Sequence, residues 1–185
     1  MAKKTKKTTR IVITGAQGTG KTTLMNALAK DGIKTLSIAR ESAIASGWSP
    51  ERGSTEEYQK ALFKALHKAI SSKKSYISDR GLSCVAAYTS GACLEGFIPK
   101  KVAENQIIKL SKFHNENPDV LVVYVPIEFD LEEDGVRDTN AVVQSKIDFL
   151  IKNILDTAGV NYITVTGSVE DRVKQIENAL ASQKL

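Results

Sequence analysis

Residues 15–22 read GAQGTGKT, and the types and spacing of these residues suit phosphate binding. Gly15, Gly20, Lys21 and Thr22 fit the pattern G-x-x-x-x-G-K-[ST], the Walker A motif. Glycines allow turns that other residues avoid, so that successive backbone N–H groups can converge on one anion. The helical pattern after the loop adds the positive end of a helix dipole. The motif therefore predicts binding of a nucleoside triphosphate, expected to be ATP, together with Mg²⁺.

The loop also predicts individual roles for its side chains. Lys21 should reach the β- and γ-phosphates, and the hydroxyl of Thr22 should bind Mg²⁺. The predicted nucleotide contacts within this stretch are Gly15, Gln17, Gly18, Thr19, Gly20, Lys21, Thr22 and Thr23.

Apolar stretches of strand type alternate with helical patterns along the rest of the chain. The predicted strands are 10–14, 34–39, 74–79, 119–125 and 161–167. The predicted helices are 21–32, 55–71, 82–90, 99–116, 140–158 and 168–183. About five apolar strands separated by helices predict an α/β protein with a parallel sheet covered on both faces, the three-layer P-loop NTPase fold. Ligands in such folds bind beyond the carboxyl ends of the strands.

Composition and charge limit the class of protein. Hydrophobic residues make up 42% and charged residues 25% of the 185 residues, as in ordinary globular proteins. No apolar run has transmembrane length and no signal pattern is visible, so we expect a cytoplasmic protein without membrane contact. The two cysteines, Cys84 and Cys93, do not predict a disulfide framework.

The net charge of +5 lies at the N-terminus. Residues 1–10 hold five of the 26 basic residues and no acid, so the remaining 21 equal the 21 acidic residues. We expect residues 1–9 to be a disordered basic tail and 10–185 to be a single domain. The tail is either a solvating segment or a weak, salt-sensitive tether for polyanions such as DNA.

Two other protein classes with this loop are disfavoured by what the sequence lacks. A GTPase would normally carry an Asn-Lys-x-Asp motif, and the sequence contains none. An AAA+ motor would show an apolar strand that ends in Asp-Glu and would need a longer chain, whereas the stretch 119–125 runs into Pro126.

The third predicted strand ends in residues that resemble known kinases. Asp79 and Arg80, followed by Ser83, Ala87 and Tyr88, are similar to the Asp-Arg element of thymidylate kinases and to the same strand end in deoxynucleoside kinases. The resemblance implies that Asp79 serves Mg²⁺ or the acceptor hydroxyl and that Arg80 binds phosphate. Alternatively, the two residues form a structural pair that caps the next helix.

Other elements resemble further parts of P-loop nucleoside kinases. Glu41 matches a glutamate that often takes the acceptor's proton, although a surface Arg–Glu pair looks the same. Residues 126–140 resemble the lid of ribosylnicotinamide kinase-like proteins, which implies that closure brings Arg137 to the phosphoryl group. The same stretch is also typical of a solvated acidic loop. Gly167 would pass its backbone near the adenine, and Arg172 would stack on the base.

These resemblances identify the chain as a member of the P-loop nucleoside and nucleotide kinases. They imply transfer of the γ-phosphate of ATP to a hydroxyl or phosphate of a nucleoside-type acceptor, a free nucleoside or nucleotide. One alternative is a kinase of the 5-hydroxymethyluracil base in phage DNA. In that case Lys60, Lys64 and Lys68 would follow the DNA backbone, although such a row is usually a solvated face. A second alternative is a nucleotide-gated regulatory ATPase. The sequence does not decide whether the nucleotide is ATP or GTP, or whether Glu41 or Asp79 is the general base. It also leaves the oligomeric state open.

Overall fold

The computed structural model describes residues 8–29, 33–38, 55–128 and 141–182. Within these ranges the strands are β1 (Arg10–Thr14), β2 (Lys34–Leu36), β3 (Tyr76–Ser78), β4 (Val120–Tyr124) and β5 (Tyr162–Thr164). The helices are α1 (Lys21–Leu28), α2 (Glu56–Ile70), α3 (Leu82–Leu94), α4 (Lys100–Glu116), α5 (Ala141–Thr157) and α6 (Val169–Ser182). No helix in these ranges is both long enough and apolar enough to span a bilayer.

The strands form one parallel sheet in the order β2-β3-β1-β4-β5. β1 lies in the middle, and its Ile11 pairs with Ile77 of β3 on one side and Leu121 of β4 on the other. Because all strands run in the same direction, their carboxyl ends meet at one edge. This arrangement confirms the predicted parallel sheet and places the end of β1 at the centre of that edge.

Alternating side chains of the central strands pack against helices on opposite faces of the sheet. In β1, Val12 joins a core formed with α2, α3, α4 and α5, whereas Ile11 and Ile13 join a core formed with α1 and α6. In β4, Val122 and Leu121 divide in the same way. Full burial of such aliphatic side chains stabilises the fold by about 2 kcal/mol each. The three-layer architecture is therefore confirmed.

A side-chain cap fixes the start of α2, and burial among other helices accounts for the apolar composition of α3. The hydroxyl of Thr55 accepts a hydrogen bond from the Tyr58 N–H at 3.2 Å and caps α2. α3 is apolar around most of its surface and packs against α2, α4 and α5. The predicted helix 82–90 is too short, because α3 continues through Gly91, which is buried against α5, as far as Leu94.

Several predicted boundaries differ from the structure, and among them β5 covers only Tyr162–Thr164 of the predicted strand 161–167. α1 ends at Leu28, followed by Ala29 in an extended conformation, whereas the predicted end at Gly32 lies outside the described residues. β2 covers only Lys34–Leu36 of the predicted strand 34–39. Edge strands of this sheet are therefore shorter than their apolar patterns suggest.

Arg10 belongs to the domain and not to the basic tail with which its charge was counted. Its side chain is 3% exposed, and Nε donates to Asp119 Oδ2 at 3.0 Å. Nη2 pairs with the other oxygen of the same carboxylate, and Nη1 donates to Asn117 Oδ1 at 3.1 Å. The hydrogen bonds from Arg10 hold the pKa of Asp119 below its ordinary value. The tail charge thus comes from Lys3, Lys4, Lys6 and Lys7.

Candidate active site

The loop between β1 and α1 depends on glycine at two positions. A Cβ on Gly15 would lie 2.3 Å from the carbonyl oxygen of Val125, so only glycine allows this close approach of β1 and β4. Gly20 caps α1 with φ 84°, in the left-handed region that favours glycine, and its carbonyl accepts from the Leu24 N–H at 2.9 Å. The loop is therefore locked against the sheet at one end and against the helix at the other.

Carbonyl oxygens of this loop are bound by side chains that point into it from other elements. The oxygens of Ala16, Gln17 and Thr19 accept, respectively, from Lys21 Nζ, from Gln144 Nε2 at 2.8 Å and from Arg172 Nη1 at 2.9 Å. In a trans peptide the N–H points opposite to the carbonyl. The N–H groups that follow these carbonyls therefore point away from the surrounding donors, as an anion site made of backbone amides requires.

Lys21 and Thr22 begin α1 beside this loop. The Lys21 side chain is 7% exposed, and its ammonium binds the Ala16 carbonyl and, at 3.3 Å, the Thr19 hydroxyl. The Thr22 hydroxyl donates to Oδ2 of Asp79 at 3.4 Å. Predicted site residues from two different strand ends are thus brought together.

Asp79 immediately follows β3 at the carboxyl edge and is 7% exposed. Its N–H donates to the Leu36 carbonyl at 3.2 Å, which fixes the backbone beside β2. A carboxylate and a hydroxyl oxygen are hard ligands of the kind that Mg²⁺ prefers, and Mg²⁺ takes its remaining ligands from water and phosphate. Thr22 and Asp79 therefore fit the predicted metal.

The Arg80 side chain packs against Tyr88 of α3, next to Thr22 and Asp79. Its guanidinium carbon lies 5.9 Å from the ring centroid of Tyr88, whose hydroxyl donates to Gln17 Oε1 at 2.8 Å. Burial works against the charge, but Tyr88, Cys84 and Asp79 together raise the pKa of Arg80 above its ordinary value. A permanently charged guanidinium thus lies close to the loop, where it could bind a phosphate oxygen.

A network that we call the Arg172 bridge closes the other side of the loop. Besides the Thr19 carbonyl, Arg172 binds Glu128 Oε2 at 2.5 Å, and its side chain is almost fully buried. The N–H of Gly167 donates to both oxygens of Glu128 at 3.1 Å. Arg172 therefore holds the loop with its buried guanidinium, an arrangement that differs from the predicted stacking on a base.

Sequence reasoning missed Glu128 and Gln144 as partners of the loop. Glu128 lies four positions beyond β4, at the edge where ligands were expected, and Gln144 is a polar residue on the buried side of α5. Only Gln144 offered a signal, because a polar residue on the buried side of a helix requires a partner, whereas Glu128 is partly exposed. The identity of that partner was not readable.

For several predicted site residues the structure adds no contact that bears on their predicted role. Glu41, Arg137 and residues 129–140 of the predicted lid lie outside the described residues. Thr23 is exposed on α1. The side chain of Gln17 accepts a hydrogen bond from Tyr88, so the backbone of Gln17, and not its side chain, would contact the nucleotide. The roles of these residues remain predictions.

Solved structures that are similar to this one include two kinases. The deoxyadenosine kinase from M. mycoides matches with a TM-score of 0.65 at 15% identity, over 94% of this chain and 98% of that chain. The thymidylate kinase from Candida albicans matches with 0.63 at 16% identity, over 96% and 92%. The NadR protein in complex with NR matches with 0.64 at 14% identity over 95% of this chain, which spans about half (50%) of that protein's length.

Sequence comparison adds a family assignment. No curated protein sequence matches the chain. The family described as an AAA domain matches residues 10–172, which include every element from β1 to the first turn of α6. β4 nevertheless runs into Val125 and Pro126, without the Asp-Glu pair expected of an AAA+ motor. The chain therefore belongs to the AAA domain family AAA_28 and has the fold of the P-loop nucleoside and nucleotide kinases.

Proposed function

We propose that the protein is an ATP-dependent phosphotransferase that moves the γ-phosphate of ATP to a hydroxyl or phosphate of a nucleoside-type acceptor. The observation that carries this proposal is the convergence of Lys21, Thr22 and Asp79 at the carboxyl edge. Their side chains come from α1 and from the end of β3, and the Thr22 hydroxyl lies 3.4 Å from the Asp79 carboxylate. A kinase needs a phosphate cradle, a cation and a metal ligand set at one place.

The nucleotide side of the site is formed by the loop. Backbone N–H groups between Gly15 and Gly20 would hold the phosphates, since their carbonyls are bound elsewhere. Lys21 would exchange the Ala16 carbonyl for phosphate oxygens. Thr22 and Asp79 would hold Mg²⁺, which when bound neutralises charge on the phosphates. Gly167, on the far side of the Arg172 bridge, would lie near the adenine.

The acceptor side would lie between Asp79 and α3. Arg80 and Tyr88 border this space, and Arg80 would bind a phosphate or polar group of the acceptor. In the reaction the acceptor oxygen bonds to the γ-phosphorus as the bond to the β–γ bridging oxygen breaks and ADP leaves. The acceptor's proton passes to a carboxylate, either Asp79 or Glu41, and Arg137 would stabilise the transferring group.

The test is transfer from γ-labelled ATP to a panel of nucleosides, nucleoside monophosphates, plain DNA and hydroxymethyl-substituted DNA. We expect label in a small nucleoside or nucleotide. Lys21→Ala should abolish transfer while the melting temperature of the ligand-free protein stays within a few degrees. The matched control is Lys152→Ala, on the exposed side of α5. Wild-type turnover by Lys21→Ala would refute the proposed role of the loop.

A DNA-base kinase is the second candidate, and it is favoured by an observation on α2 and α4. Lys60 and Lys64 lie in a basic groove with lysines of α4, whereas the exposed Lys68 does not line it. Label that enters only hydroxymethyl-substituted DNA would establish this acceptor. Slow release of free phosphate with every acceptor would instead favour a nucleotide-gated regulatory ATPase.

A further inference from the structure

The helices α2 and α4 border an open groove of about 690 Å³ on one face of the sheet. Four lysines line it: Lys60 and Lys64 from α2, and Lys109 and Lys112 from α4. Glu116 also lines the groove, so its lining is net basic, although residues 10–185 hold nearly balanced charge, with 26 minus 4, or 22, basic residues against 21 acidic ones.

Acidic neighbours neutralise only part of this charge. Lys60 pairs with Glu56 and Lys112 pairs with Glu116 at 3.8 Å, both within one helix and on exposed surface. Such pairs contribute little and are easily exchanged for another anion. In the described part of the chain, no ion pair within 4.0 Å involves Lys64 or Lys109. These two lysines are the cations most available to a ligand.

The floor of the groove explains which part of a ligand would make contact. Phe63 is 5% exposed and Phe113 is 2% exposed, so both rings are buried in the core and offer no free face for stacking. His67 also lines the groove, where burial and the nearby Lys109 lower its pKa, so it is neutral near pH 7. The accessible groups are the ammonium groups, which select for anions rather than for aromatic bases.

The spacing of the lysines favours a ligand with repeated charge. Lys60 and Lys64 are separated by four residues, a rise of about 6 Å along α2, and Lys109 and Lys112 by about 4.5 Å along α4. A nucleic-acid strand presents a phosphate about every 3.4 Å of axial rise. Both intervals fall between one and two phosphate spacings, so flexible lysine side chains can meet neighbouring phosphates of one strand, whereas one isolated phosphate could not engage both helices along their length.

The basic tail enters the fold close to the same groove. Thr9 pairs with Ser75 and Tyr76 at the amino edge of the sheet. The next residue, Arg10, binds Asn117, which directly follows Glu116 at the end of α4. The first described residues of the chain thus enter the fold beside the end of the groove that Glu116 lines.

We propose that the α2/α4 groove binds the phosphodiester backbone of a nucleic-acid strand, without reading its sequence. This binding site is separate from the loop between β1 and α1 and requires no step of phosphoryl transfer. It can therefore be tested by binding alone, and its failure would leave the proposed kinase activity untouched.

The test is fluorescence anisotropy of a labelled 20-nucleotide thymidine strand at several salt concentrations. Lys64→Gln/Lys109→Gln removes the two cations without ion pairs. Lys152→Gln/Lys174→Gln, with both residues exposed and outside the groove, removes the same charge elsewhere. We expect the groove variant to reduce the slope of log affinity against log salt by about 1.4, and the control to leave it unchanged. Equal losses in both variants, or absence of binding at low salt, would overturn the proposal.

Two further arms identify the ligand class and the role of the tail. Replacing Lys3, Lys4, Lys6 and Lys7 by glutamine should weaken binding, and the groove variant should then lower the slope further. If the tail replacement alone removes all binding, the groove is not the site. Poly-glutamate should compete poorly with the strand, and equally strong competition would overturn the proposal in favour of an acidic protein partner. Circular dichroism checks that each variant is folded.

Discussion

Two buried arginines, each paired with a carboxylate, lie at opposite edges of the same sheet. Arg10 and Arg172 are each 3% exposed, so both guanidinium groups have exchanged water for protein acceptors. Their partners differ in exposure: the Asp119 side chain is 57% exposed and the Glu128 side chain 26%. Chemically, the two ion pairs are nearly the same.

The two arginines differ in the segments that they bind. Arg10 contacts Ser72, Asn117 and Asp119, which lie in the connections that lead into β3 and β4 at the amino edge. Arg172 contacts the carbonyl of Thr19 within the loop and binds Glu128. The comparison shows that burial of an ion pair does not reveal its role. A buried ion pair is weak evidence for a contribution to stability, and its position in the fold decides which segments it holds in place.

The largest effect should come from Arg172→Met. Without the guanidinium the Thr19 carbonyl loses its donor, and the loop no longer holds its N–H groups in place. A shift of about 1 Å near a reacting group costs about 100-fold in rate, so kcat/KM for MgATP should fall by about that factor. Steady-state kinetics with the acceptor identified in the transfer panel measure the loss.

Arg172→Lys is the matched control for this prediction. A single ammonium can bind either Glu128 or the Thr19 carbonyl, so we expect partial recovery, mainly in KM for ATP. Kinetics of Arg172→Met indistinguishable from wild type would show that the Arg172 bridge only stabilises the fold.

Arg10→Met should have a smaller effect, on stability alone. Asn117 loses a donor and the amino edge loses its cross-connection, whereas Asp119 is exposed enough to be hydrated. The free energy of unfolding should fall by about 2 kcal/mol, below the cost of breaking a fully buried pair. Urea unfolding measures this change, and kcat/KM should stay within twofold of wild type. A loss of activity in an Arg10→Met variant that is still folded would contradict the proposed difference in role between Arg10 and Arg172.

The smallest effect should be the pH dependence of Asp119→Asn. The hydrogen bonds from Arg10 lower the folded-state pKa of Asp119, so its stabilisation is complete above the unfolded pKa of about 3.9 and is lost as the pH falls through the folded pKa. Because the side chain is exposed, the variant should be less stable by at most about 1 kcal/mol at pH 7. Urea unfolding between pH 7 and pH 3 should show this difference shrinking. A difference that stays constant would mean that the charge of Asp119 is not its cause.

Local patterns predicted most of the elements and part of the site. The motif around Lys21, the helical pattern of residues 55–71 and the strand end at Asp79 were all readable, since each depends on residues close together in sequence. The full length of α3 was not, because glycine is a poor helix former and Gly91 nevertheless remains helical where α3 is buried against α5. The partner of Arg10 could not be read either, since the Asp119 carboxylate lies 109 positions away in the sequence.

The sequence by itself determined that a glycine loop follows a buried strand and opens a helix, since backbone freedom, strand alternation and helix start are properties of neighbouring residues. Only the tertiary structure decided which distant groups complete that loop. Thr22 meets Asp79 across 57 positions, and Arg172 meets Thr19 across 153. Parallel strands bring their carboxyl ends to one edge whatever their separation in sequence, so the packing of the sheet, and not the spacing of residues, selects the partners.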